Sequence, residues 1–149
     1  MDLILRAESF YNIATELEKL DAAPDFSGRS LYESYGGKSL HNQSHGESFM
    51  SLMQNRFFGN GLYILDEPEA ALSPSRQLAM IALISDLVKD NSQFIIATHS
   101  PILLAYPEVD IYVIDDNGIT LTPYEKTEHY ILTKQFLNNT EKYIRELIG

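Results

Sequence analysis

The sequence contains no cysteine, few basic residues and no long apolar run. Without cysteine there is no disulfide framework, no thiolate metal ligand and no cysteine nucleophile among the 149 residues. Eleven Lys and Arg against 21 Asp and Glu give a formal net charge of −10. Nucleic-acid interfaces and polybasic membrane anchors both need clustered cations, so this balance argues against either. We therefore expect no direct membrane contact, and contact with nucleic acid only indirectly if at all.

The composition that is present is that of a globular protein. Hydrophobic residues make up 44% and charged residues 21% of the chain, and its length predicts one domain over residues 1–149. The N-terminus has an acidic residue, Asp2, directly after Met1 and lacks the basic residues with which a signal peptide starts. No apolar run approaches the ~20 residues that cross a bilayer. These features together predict a cytoplasmic location.

Short apolar runs alternate with amphipathic segments along the chain. This alternation is typical of an α/β fold with a mainly parallel sheet. We expect flanking helices and a C-terminal β-hairpin that turns at Asn117-Gly118. The predicted elements are a helix over 7–20, a long loop over 21–43, a helix from Ser44, strands at 62–65 and 93–97, a helix from 74 to about 90, a short helix after Ser100, strands at 110–114 and 119–122, and two helices between 127 and 148.

Hydrophobic spacing also predicts which residues form the core. The stripe Phe49, Leu52 and Met53 is expected to face inward from the helix that begins at Ser44. The strand over 93–97 is expected to be buried, because its run is short and apolar. In the helix from 74 to 90, the candidate inward residues are Leu78, Ile81, Leu87 and Val88.

Chemically useful side chains follow two of the predicted strands. Asp66 and Glu67 come directly after one strand, and His99 follows the next. Because ligands collect at the carboxyl ends of parallel strands, we expect the three to face one crevice. One carboxylate suits a hydrated Mg²⁺, the other a water that attacks phosphate, and an imidazole can hydrogen-bond phosphate. The alternatives are a solvated acid pair in a turn and a histidine that caps the Ser100 helix.

A second candidate site lies at the start of the helix near Ser44. Its hydroxyl, the free N–H groups around Gly46 and the helix dipole favour an anion, whereas the charge of Glu47 opposes one. An ordinary helix cap is the alternative. Gly37-Lys38-Ser39 looks like the end of a phosphate loop, but that motif requires glycine where this chain has Tyr32.

Four motifs in order resemble those of ATP-binding-cassette ATPases. The resemblance is to small stand-alone bacterial predicted ATPases of the AAA/SMC-like type, and it implies a partial P-loop NTPase fold that binds ATP and Mg²⁺. The motifs are Gln43–Glu47, similar to the signature motif; Tyr63–Pro68, similar to the Walker B strand; Glu69–Ser73, similar to the D-loop; and Ala97–Pro101, similar to the switch-histidine loop.

The resemblance implies a role for each candidate residue. Asp66 would hold Mg²⁺, Glu67 would orient or deprotonate the attacking water, and His99 would contact the γ-phosphate. Ser44 and Gly46 would bind the γ-phosphate of ATP held by a second protomer, and Ser73 would lie near the dimer seam. Two positions depart from the family pattern: His45 replaces a glycine of the signature, and Glu47 replaces its glutamine.

The Walker A strand and phosphate loop of the family do not precede Arg6 in this sequence. We therefore expect the chain to correspond to the C-terminal portion of such an ATPase, and alone to bind ATP weakly or not at all and to hydrolyse none. In the family the Walker A strand lies between the strands predicted at 93–97 and 110–114. Two strand edges would then be open, which favours a homodimer or pairing with a chain that supplies the Walker A half.

Two functions of different class remain open at this point. The first is an ATPase subunit or fragment that hydrolyses ATP at a head-to-tail dimer interface. The second is a non-catalytic dimerisation or interaction module derived from such an ATPase.

Overall fold

The computed structural model describes residues 2–6 and 45–149. The predicted helix over 7–20, the predicted loop over 21–43 and Ser44 lie outside the described residues. The chain divides into two compact units, Met1–Thr98 and His99–Gly149.

The first unit contains a three-stranded parallel sheet, in which the two strands predicted at 62–65 and 93–97 are joined by an unpredicted strand at the N-terminus, whereas the strand predicted at 110–114 belongs to a separate hairpin. The strands of the sheet are β1 (Asp2–Arg6), β2 (Leu62–Asp66) and β3 (Gln93–Ala97), in the order β1-β2-β3. Helix α1 spans His45–Arg56, and helix α2 spans Pro74–Lys89. Strand β1 was not predicted, because the apolar run Leu3-Ile4-Leu5 before Arg6 is too short to give a clear strand signal. A 3₁₀ helix, Pro68–Ala71, follows β2.

An aromatic stack fixes the centre of this unit. The Tyr63 ring is fully buried and packs against Phe57 and Phe94, with centroid distances of 4.1 Å and 5.1 Å, and the two phenylalanine rings lie 6.3 Å from each other. Its hydroxyl donates to the Phe58 carbonyl oxygen at 2.8 Å and accepts from the Phe58 N–H at 2.6 Å. The polar end of the buried ring is therefore satisfied. The predicted core stripe of α1, which is Phe49, Leu52 and Met53, is confirmed as buried.

Helix α2 begins and ends where the sequence predicts, but it presents a different face to the core. Of the four predicted inward residues only Leu87 is buried, whereas Leu78 is 60% and Val88 41% exposed and Ile81 is half-buried. The buried side chains are Gln77, Met80, Ile84 and Leu87. The Gln77 amide donates from Nε2 to the Leu72 carbonyl oxygen at 3.1 Å, which makes burial of this polar side chain acceptable and sets the rotation of the helix.

Strand β3 is in the predicted place, but the prediction that it is buried is wrong. The side chains of Gln93, Ile95 and Ala97 are exposed, and those of Phe94 and Ile96 are only half-buried. Within the described residues β3 is the edge of its sheet. Only the face of β3 that carries Phe94 and Ile96 is therefore partly covered by other residues.

The second unit contains the predicted hairpin and the two C-terminal helices. Strands β4 (Tyr112–Asp115) and β5 (Gly118–Leu121) pair antiparallel, with Asp115 opposite Gly118. The turn is thus at 116–117, one residue before the predicted Asn117-Gly118. Gly118 has φ 122°, a conformation that glycine adopts readily.

The C-terminal segment is helical as predicted. Helix α3 spans Glu128–Asn138 and α4 spans Thr140–Ile148. Two 3₁₀ turns, Leu103–Ala105 and Tyr124–Lys126, complete the unit, the first at the predicted short helix after Ser100. None of the helices in the described part of the chain combines the length and the apolarity that crossing a membrane requires.

The face of α2 gives the first prediction. Met80→Ala should lower the free energy of unfolding by about 2–5 kcal/mol, because it opens a cavity at a fully buried position. Leu78→Ala on the same helix is the matched control and should change it by less than about 0.5 kcal/mol, because Leu78 is largely exposed. Urea unfolding followed by circular dichroism measures both. Equal losses would contradict the observed rotation of α2.

Candidate functional site

The carboxylate pair lies where β2 ends beside β3. The parallel register places Asp66 opposite Ala97, and the Glu67 N–H donates to the Ala97 carbonyl oxygen at 2.9 Å. Asp66 is half-buried and Glu67 is exposed. The two carboxylates thus stand at the carboxyl end of the sheet, where ligands of α/β proteins bind.

Glu67 has an unusual backbone conformation. Its φ of 47° and ψ of 51° lie in the left-handed region, and Pro68 follows it and begins the 3₁₀ helix. For a residue other than glycine this conformation costs about 1–2 kcal/mol, and a following proline disfavours helical angles further. Such strain at the end of a strand is typical of functional positions, because the surrounding structure must hold it in place.

The segment after β3 is anchored by Ser100. This serine is buried, and its Oγ accepts from the N–H groups of Ile102 and Leu103 at 3.1 Å and 3.2 Å. Ser100 therefore caps the turn that leads into the 3₁₀ helix Leu103–Ala105, whose own N-cap position is Ile102. The position of His99, one residue earlier in the chain, is fixed from this side.

A tyrosine from the same unit also anchors this segment. The Tyr124 hydroxyl donates to the Pro101 carbonyl oxygen at 2.7 Å. Burial, and then the neighbouring Tyr130 and Glu125, raise the pKa of the Tyr124 hydroxyl, so it remains protonated and a donor at neutral pH.

His99 itself is exposed and contacts a second histidine. Its Nδ1 lies 3.1 Å from Nε2 of His129, the second residue of α3. Sequence reasoning missed both His129 and Tyr124, because nothing in the spacing connects residues about 25–30 positions apart. Only the folded second unit brings them to the His99 segment.

The residues predicted to act at a dimer seam lie at the starts of two helices. Ser73 is the N-cap of α2: its Oγ accepts from the Arg76 N–H at 3.4 Å and lies 3.0 Å from the Ser75 Oγ. Gly46 is the second residue of α1, and Ser44 lies outside the described residues. The roles predicted for Ser44, Gly46 and Ser73 across a dimer interface stay predictions.

Asp66 is the residue predicted to hold Mg²⁺, and this role stays a prediction. In the part of the chain that the structure describes, no group of three or more histidine and acidic side chains converges on a common point. Mg²⁺ bound with ATP needs only one or two carboxylates, since phosphates and waters complete its shell. A single half-buried carboxylate at a strand end meets that need.

Comparison with known proteins tests the resemblance to an ATPase. Residues 39–104 match the family model of the AAA ATPase domain. The resemblance to an ATPase is confirmed. The matched segment is less than half of the chain, and it includes all four motifs on which the resemblance depends. No protein with a curated description is significantly similar to the chain in sequence.

The Ser100 cap gives the second prediction. Ser100→Ala should lower the free energy of unfolding by about 1–2 kcal/mol, because two N–H groups lose their acceptor beside a buried side chain. The amides of Ile102 and Leu103 should exchange with solvent faster than in the unsubstituted chain. Hydrogen exchange measured by NMR tests this, with Ser75→Ala, at an exposed serine, as the control. Unchanged exchange at both amides would contradict the cap.

Proposed function

We propose that the chain is the Walker B and switch portion of an ATPase that hydrolyses ATP with Mg²⁺ between two protomers. The observation that carries the proposal is the register of β2 and β3. It sets the Asp66-Glu67 pair beside Ala97, two residues before His99. The match to the AAA ATPase domain over the same segment supports it.

The two carboxylates have different tasks in this proposal. Asp66, which is half-buried at the strand end, would hold Mg²⁺, which supplies positive charge to the phosphate oxygens. Glu67, which is exposed, would orient the attacking water and accept its proton. The strained backbone of Glu67 restricts where its carboxylate can point, which favours positioning over free solvation.

The remaining residues would bind the terminal phosphate. His99 would donate a hydrogen bond to it, and its segment is held by the Ser100 cap and the Tyr124 bond. Ser44, Gly46 and Ser73 would contact the nucleotide or the seam from the opposite protomer. Hydrolysis would then depend on association of two protomers.

The phosphate loop is the part of the machinery that these 149 residues do not contain. Their one Gly-Lys-Ser, at 37–39, has Tyr32 where a phosphate loop needs glycine. Backbone N–H groups and a lysine normally neutralise the β- and γ-phosphates, whereas two carboxylates repel them. We therefore propose that a phosphate loop from another segment or chain completes the site, and that these residues alone do not hydrolyse ATP.

Strand β3 offers a place for such a partner. It is an edge strand within the described residues, and Ile95 at its centre is 54% exposed. An edge of this kind pairs readily with another chain. We propose that the β3 edge pairs with a strand of the chain that supplies the phosphate loop, or in its absence with a second copy.

The third prediction concerns hydrolysis. The chain combined with the polypeptide that supplies the phosphate loop should hydrolyse Mg·ATP, and Glu67→Gln should lower kcat by roughly 10²–10⁴-fold, because the acceptor of the water's proton is lost. Phosphate release measures the rate. The amide keeps the shape of the side chain, so nucleotide binding, measured by calorimetry, should persist.

The control for this experiment is Glu141→Gln, which removes one negative charge from an exposed position on α4. It should leave kcat unchanged. Hydrolysis by these 149 residues alone, or equal loss of rate in both variants, would contradict the proposal.

The fourth prediction concerns association. The mass of the isolated chain in light scattering should rise with concentration as copies associate. Ile95→Lys should reduce this rise, because a charge on an edge strand opposes strand pairing. Leu78→Lys makes the same change in charge and polarity at an exposed position on α2 and should not. An equal effect of both substitutions would indicate general hydrophobic association and not pairing at β3.

The second candidate function is a non-catalytic interaction module. The departures at His45 and Glu47 favour it, since they add bulk and negative charge at positions where the family signature meets phosphate. Dimers whose stability is unaffected by Mg·ATP, together with no hydrolysis in the presence of the phosphate-loop polypeptide, would support this function and exclude the first.

A further inference from the structure

We propose that His129 is a positioning residue that fixes the proton of His99 on Nε2, so that the ring donates to an anion such as phosphate. This inference rests on the function proposed for His99, but its geometry does not. Both histidines belong to the second compact unit, and the contact between them is internal to it.

The two rings meet at hydrogen-bond distance. Nδ1 of His99 lies 3.1 Å from Nε2 of His129, the ring centroids are 5.1 Å apart, and the planes are tilted by 38°. Two nitrogens at this distance share one proton, since two lone pairs or two N–H groups facing each other would repel. The tautomer of one neutral ring therefore determines the tautomer of the other.

The backbone around His129 is well anchored, so the ring can serve as a fixed reference. His129 lies two residues after Thr127, the N-cap of α3, and Thr127 is 2% exposed. The Thr127 Oγ1 donates to the Tyr124 carbonyl oxygen at 2.7 Å and accepts from the Tyr130 N–H at 3.4 Å. Tyr124 in turn donates to the Pro101 carbonyl oxygen in the segment that carries His99. The segment that carries His99 is thus held by the Tyr124 hydroxyl, from the turn before α3, and by the ring contact of His129.

For two neutral rings there are two arrangements. If His129 donates from Nε2, then Nδ1 of His99 accepts and the proton of His99 is on Nε2; both rings then have the tautomer that neutral imidazole prefers in water. If His99 donates from Nδ1 instead, both rings must adopt the less stable Nδ1–H tautomer. The first arrangement is therefore favoured.

The favoured arrangement suits an anionic ligand. A phosphate oxygen accepts hydrogen bonds and cannot donate to a bare ring nitrogen, so the ring must present an N–H. His129 assigns the accepting role to Nδ1 and thereby the donating role to Nε2. His129 need not touch the nucleotide to do this.

The test is NMR of the imidazole nitrogens in the 149-residue chain, which contains four histidines. The spectra are taken at a pH at which the nitrogen shifts themselves show neutral imidazole rings. His99 should show a protonated Nε2 and an unprotonated Nδ1. In His129→Phe, which keeps an aromatic ring but removes the donor, His99 should become a mixture of tautomers in exchange with water.

Two controls separate positioning from a structural effect. Glu128→Gln changes the adjacent residue of α3 and should leave the His99 tautomer as it is. His129→Gln keeps a side-chain N–H donor and should restore part of the Nε2–H population. A His99 proton on Nδ1 in the unsubstituted chain, or the same tautomer in His129→Phe, would overturn the inference.

A kinetic measurement separates this inference from the proposed function. With the phosphate-loop polypeptide present, His129→Phe should lower kcat roughly tenfold, with little change in KM, the loss expected when a hydrogen bond worth about 1.4 kcal/mol in the transition state is weakened. If the NMR result holds and no variant or parent hydrolyses ATP, the proposed function is wrong and the coupling of the two rings stands. An unchanged kcat in an active complex would overturn the positioning role.

Discussion

The parallel pairing of β2 with β3 is the constraint on which the candidate site depends. It is fixed at both ends: the Gln93 N–H donates to the Gly61 carbonyl oxygen at 2.8 Å, and the Glu67 N–H donates to the Ala97 carbonyl oxygen at 2.9 Å. A slip of one residue would exchange the two faces of a strand and separate these pairs. Because the register is set by bonds at each end, the acid pair has a defined position beside the end of β3.

The aromatic stack makes this register costly to change. Tyr63 cannot leave its place against Phe57 and Phe94 without uncovering three rings and breaking two bonds to Phe58. Gly61 matters here too, since a Cβ at that position would lie 2.6 Å from the Tyr63 hydroxyl. Packing near the start of β2 therefore supports the position of the acid pair at its end.

Local signals in the sequence were sufficient for β2, β3, the Ser73 and Ser100 caps and the hairpin, because each depends on residues within a few positions. They were insufficient where the deciding partner is distant or is not apolar. The face of α2 depends on the Gln77 amide and the Leu72 carbonyl, and hydrophobic spacing gives such a pair no weight. The exposure of β3 depends on which strands join its sheet. The His99–His129 contact crosses 30 residues and has no signature in spacing.

The charge of the chain connects these features to function. In the proposed function, a triphosphate at Asp66 and Glu67 would meet two negative groups on a chain whose net charge is −10, so its binding would need cations from Mg²⁺ and from a phosphate loop. If that loop arrives by strand pairing at β3, the same event closes an exposed edge and completes the charge balance of the site. Association and catalytic competence would then be one equilibrium. In that case the open edge and the acidic site would together restrict ATP hydrolysis to the assembled protein.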